Sequence, residues 1–149
     1  MNEQEIHHLL YDIPENVDYT DISQELDLED VPKERVDKLR DLLHSDDLAV
    51  RFDAALLLTN WGVADGLNTL IDLFEKGETK GFIPHHLHPY DDTNKHILDA
   101  LIGYWASQTD LHKEQEARKR IYPTIISIIK QAVHSAYSIA QIGFLIKKI

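Results

Sequence analysis

The chain has 149 residues, no cysteine and a net charge of −11. That length suffices for one domain with its own core, and the lack of cysteine excludes disulfide scaffolds and cysteine-ligated zinc. The charge is uneven: ten of the 26 acids and none of the 15 Lys/Arg fall in residues 1–32. Those acids argue against direct binding to nucleic acid or an anionic membrane, which needs Lys/Arg to displace counterions, and favour a basic partner.

The first residues have no basic n-region and no long apolar stretch, so no secretory signal is expected. Residues 3–12 have Ile6, Leu9, Leu10 and Ile13 at helical spacing, and Pro14 stops that helix. Residues 15–31 are acidic yet carry Val17, Tyr19, Ile22, Leu26, Leu28 and Val31 at regular intervals. A disordered tail would hold fewer apolar anchors. This segment is expected to lie against the body of the domain, with about one helical turn.

Pro32 stands where a first-turn proline belongs, and a helix follows to about His44 with the stripe Val36, Leu39, Leu42, Leu43. Ser45, Asp46 and Asp47 offer capping oxygens for a helix over 47–61, whose apolar face is Val50, Ala54, Leu57, Leu58 and Trp61. Gly62 supplies the left-handed residue that ends it. Asp65 is expected to cap the next helix, with Leu67, Leu70, Ile71 and Phe74 inward and Gly77 at its close. Residues 77–91, with two prolines and two glycines, read as irregular. Asp92 or Thr93 caps a further helix to about Ser107, burying Ile97, Ala100, Leu101, Tyr104 and Trp105. Residues 110–121 are charged and helix-prone. Pro123 begins or kinks another helix with Ile125, Ile128, Ile129 and Ala132 inward, and a last helix over 137–147 uses Ile139, Ile142 and Ile146. The uncharged run 131–146 holds Gln131, His134, Ser135, Ser138 and Gln141 and is too short to span a bilayer. No segment shows sustained strand alternation. The expected fold is all-α, one domain over 1–149 with six or seven helices, in a cytoplasmic protein.

Residues 45–77 resemble a short HEAT-like repeat. The match lies in the polar Ser45-Asp46-Asp47 lead, Val50-Arg51, the Ala54-Ala55 pair, Leu58, the Trp61-Gly62 end, and Leu70, Leu73 and Phe74 of the second helix. Residues 33–44 look like the second helix of a preceding unit and 92–106 like the first helix of a following one. The resemblance implies a short α-solenoid, close approach of helices at the alanines, and Arg51 as a structural bridge to an acid. Such scaffolds mostly present surfaces to partners.

Candidate chemistry is sparse. His85, His86, His88 and His96, with Asp91 and Asp92, offer ligand types suited to zinc or iron, but Pro84 and Pro89 break any helix that would align two ligands one turn apart. No metal site, cofactor or catalytic residue is assigned, and a metal-dependent enzyme on those histidines is the least favoured alternative. No nucleophile elbow occurs, and Gly62/Gly66 and Gly77/Gly81 do not follow a strand as a phosphate loop requires. The expected binding residues are Asp18, Tyr19, Asp21, Glu25, Asp27, Glu29 and Asp30 in the acidic segment, with Tyr90 and Asp91 in the later loop. Carboxylates complement basic clefts, and tyrosine anchors interfaces. The leading expectation is a non-enzymatic inhibitor of a basic protein, in the manner of an immunity protein against a cationic nuclease toxin. A general HEAT-like adaptor is the alternative.

Overall fold

The structure, a computed structural model, describes residues 1–83 and 91–132. Its described residues form six α-helices and no strand: α1 Glu3–Tyr11, α2 Lys33–Leu42, α3 Leu48–Asn60, α4 Ala64–Glu75, α5 Thr93–Asp110 and α6 Glu114–Ala132. Two single 3-10 turns, Ser23–Glu25 and Leu28–Asp30, lie between α1 and α2. The all-α expectation is met. The helix expected over 137–147 falls outside the described residues.

α3 is the central element. It packs against α4 most extensively, then α5 and α2, and also meets α1 and the Ser23–Glu25 turn. This explains why its expected single apolar face is incomplete: Phe52 and Ala54 through Thr59 are all buried, whereas Val50 is only partly so. Ala54 and Ala55 are wholly buried, and small side chains there let neighbouring axes approach. The stripes of α2 and α4 are buried as expected, and so are Ile97, Ala100, Leu101 and Tyr104 of α5; Trp105 is half-buried. One buried cluster extends from Leu10 through Ile128.

Local chemistry fixes the helix starts. Asn2 accepts the Glu5 N–H at 2.8 Å to cap α1, and Asp47 accepts the Ala49 and Val50 N–H groups at 3.0 and 3.4 Å to cap α3. Asp65 is not a cap. α4 starts two residues earlier with Val63 at its cap position, so Asp65 lies in the first turn and pairs with Arg40 of α2 at 2.9 Å. Arg51, expected to bridge an acid, makes no ion pair among the described residues, and its Nε is buried without a hydrogen-bond partner. Arg40 is the cross-helix bridge instead. Pro123 lies inside α6 rather than at a helix start; lacking an N–H, it removes one i→i−4 hydrogen bond there.

Three helices end in one backbone motif. Val63 N–H reaches Leu58 C=O at 2.9 Å, Glu78 reaches Leu73 at 3.0 Å, and Lys113 reaches Gln108 at 2.8 Å. Each is the six-to-one bond that closes a helix around a left-handed residue. Those residues are Gly62 (φ 85°), Gly77 (φ 70°) and His112 (φ 60°). The third carries a side chain, so no glycine in the sequence marks that α5 runs to Asp110 rather than stopping near Ser107.

The helix ends and crossings generate opposite stability effects. A Cβ on Gly66 would overlap the Leu58 side chain where α4 crosses α3, so Gly66→Ala is expected to destabilise by about 1–3 kcal/mol. His112→Gly removes left-handed strain and is expected to stabilise by up to about 1 kcal/mol after the entropy of glycine is offset. Chemical denaturation of both variants checks the two signs.

Candidate binding groove

Two polar bonds at Ser23 build the acidic segment into the fold, and a third joins α1 to α2. Ser23 is buried; its hydroxyl donates to Leu10 C=O at 2.6 Å, and its carbonyl accepts the indole N–H of Trp61 at 2.8 Å. Arg35 Nε donates to Leu9 C=O at 2.9 Å, and its guanidinium lies over the Trp61 ring, 5.4 Å from the centroid. Burial lowers the Arg35 pKa, against the opposing charge of Asp12. Leu26 and Val31 are buried beside these contacts. The segment therefore turns Leu26 and Val31 inward and leaves Ile22 and Leu28, with most of its carboxylates, exposed.

The result is one wall of an open groove of about 720 Å³. Residues 24–29 form that wall. Asn60, Trp61 and Gly62 at the end of α3 line the base, and Gly103, Ala106, Ser107, Asp110 and Leu111 of α5 line the far side. Glu25, Asp27, Glu29 and Asp110 border it, and no Lys, Arg or His does. Leu28 and Leu111 are 41% and 60% exposed, so the groove has apolar lips as well as acidic ones. Gln108 donates to Gly62 C=O at 3.3 Å and holds α5 to the α3–α4 turn.

The expected binding residues divide under this geometry. Glu25, Asp27 and Glu29 line the groove; Asp18 and Asp21 are exposed elsewhere on the segment. Tyr19 and Asp30 are committed to each other: the Tyr19 hydroxyl donates to Asp30 Oδ2 at 2.7 Å and accepts the Asp27 N–H at 2.9 Å. The Asp27 N–H favours the phenolate, but desolvation and the charges of Asp30 and Asp27 outweigh it and raise the Tyr19 pKa. The Tyr19 ring is nonetheless half exposed. It serves as an internal clamp whose outer face is open.

Asp91 is a loop tie. Its carboxylate accepts the Gly81 N–H at 2.8 Å, the Thr93 N–H at 3.0 Å and the Thr93 hydroxyl. Burial pushes its pKa up, but the Thr93 and Gly81 bonds and the charge of Lys80 prevail and lower it. This carboxylate, one residue before the expected caps Asp92 and Thr93, secures the start of α5; Asp92 occupies the cap position without a side-chain bond. Tyr90, His85, His86 and His88 lie outside the described residues. His96 is exposed on α5, and no group of three His, Cys, Asp or Glu among the described residues is placed to hold a metal.

Sequence reasoning missed Ser23, Asp110 and Leu111. The signal available for the last two was an acid followed by a leucine just past an amphipathic helix, which the early stop at Ser107 hid. No helix among the described residues is long and apolar enough to cross a membrane. Comparison with models of protein families, with curated proteins and with solved structures finds no match to this chain.

Trp61→Phe keeps most of the buried ring and removes the donor to Ser23. Leaving that carbonyl unsatisfied is expected to cost about 1–3 kcal/mol, measured by chemical denaturation. A change within error would show that the indole bond does not hold the segment.

Proposed function

We propose that this protein is a non-enzymatic binding protein that captures a cationic protein partner through residues 15–31, as an immunity-type inhibitor of a basic toxin does. The observation that carries this reading is the inward tying of Ser23, Leu26 and Val31, which leaves Glu15, Asp18, Asp21, Glu25, Asp27 and Glu29 exposed with no Lys or Arg on the segment. An ordered array of like charge focuses potential better than a trailing tail and speeds capture of an oppositely charged surface. Held against a nuclease-type toxin, such an array occupies the cleft that otherwise takes phosphates.

The hairpin of α3 and α4, flanked by α2 and α5, supports a HEAT-like scaffold beneath this surface and favours a second reading, a general adaptor whose affinity does not depend on the acidic segment. Co-expression with the product of the adjacent gene, followed by reversal of Asp18, Asp21, Glu25 and Glu29 to Lys, separates the two. The inhibitor reading expects association at low salt to slow by about 10–1,000-fold. Unchanged association at low salt would favour the adaptor.

A further inference from the structure

The groove carries more than negative charge. We propose that it receives a short amphipathic helix of the partner, with that helix's apolar side chains between Leu28 and Leu111 and its Lys/Arg side chains at Glu25, Asp27, Glu29 and Asp110. This rests on the reading above that the partner is a cationic protein.

Helix electrostatics give the first argument. α3 ends at Asn60 and α5 at Asp110, and both ends border the groove. A helix C-terminus carries the negative end of the peptide dipoles and is ordinarily matched by a basic residue. Neither α3 nor α5 has a basic residue in its last turn, and α5 places Asp110 there. The free protein thus holds a carboxylate against the negative end of its own helix. A local rule broken in this way, with no ion pair to Asp110 among the described residues, marks a position kept for binding rather than stability. A cation seated in the groove relieves both the dipoles and the carboxylates.

The apolar lips give the second. Charge alone would recruit any polycation, but Leu28 and Leu111 remain exposed on either side of the acids. Covering them requires an occupant with an apolar face.

Length suits a helix. Gly103, Ala106, Ser107 and Asp110 of α5, with Leu111 just past its end, follow i, i+3, i+4, i+7, i+8 spacing beside Gln108, along about 12 Å at 1.5 Å per residue. That is the length of about two helical turns. Ala106 is the exposed small residue on that face; Gly103 and Ser107 are the positions where α5 packs on Asn60 and Gly62 at the end of α3. An extended peptide that adds as a strand would need an open sheet edge, and no strand occurs among the described residues.

The test uses the full chain and synthetic peptides in calorimetric titrations at low and physiological salt. One peptide places leucine at helical spacing among lysines, a second has the same composition scrambled, and a third is oligolysine. The patterned peptide is expected to bind at least about tenfold tighter than the scrambled one, with Leu111→Asp removing that advantage. Asp110→Lys is expected to weaken patterned-peptide binding while raising the melting temperature of the free protein; an acid with a structural role would lower it. Equal binding of all three peptides overturns the helix proposal and leaves the cationic-partner reading standing. No binding by any of them at low salt overturns both. A sedimenting dimer that Leu111→Asp dissociates would assign the groove to a second copy of this chain and overturn the proposal.

Discussion

The indole N–H of Trp61 and the carbonyl of Ser23, 2.8 Å apart, hold the acidic segment to the helical body. Trp61 follows the last residue of α3, the helix that every neighbouring element touches, so the bond ties the most mutually packed part of the molecule to its most highly charged part. Arg35 over the indole ring and the Ser23 hydroxyl on Leu10 extend the tie to α1 and α2. A segment with seven carboxylates between residues 15 and 31 needs such buried, directional contacts, because its own buried apolar content is small. Once held, Asp18, Asp21, Glu25, Asp27 and Glu29 face solvent or the groove beside α5, while Asp30 is bonded to Tyr19.

The same corner is where the repeated helix-end motif matters. Gly62 turns the chain tightly enough that its Cα faces Ser107 of α5, with no room for a side chain. That close approach brings the ends of α3 and α5 together at one side of the groove. His112 completes the picture at the end of α5 by letting the helix run to Asp110 before it closes. Two helix C-termini and a carboxylate wall converge there.

Much of the fold was legible in the sequence because most helices have one dominant apolar stripe. α2 announces itself through Val36, Leu39 and Leu42, and α4 through Leu67, Leu70 and Phe74. α3 was harder to orient, since a helix buried on nearly all sides has no single face to find. Asp65 looked like a cap because its residue type fits; the helix started earlier, and Arg40, distant in sequence, decided the role of that carboxylate. The end of α5 was hidden because the left-handed position is filled by His112 rather than glycine. Among the candidate binding residues, charge located the segment but not its geometry. Tyr19 and Asp30 satisfy each other, and Asp91 holds a loop; hydrogen bonds of this kind depend on residues brought together by folding, which spacing alone does not reveal.

The account depends on residues 22–31 being a fixed part of the folded domain. Native-state amide hydrogen exchange measures this directly. The N–H groups of Glu25, Leu26, Asp27, Asp30 and Val31, each bonded to an internal acceptor, are predicted to exchange far more slowly than in a free chain. Exchange at free-chain rates there, beside protected amides in α3 and α4, would contradict the account.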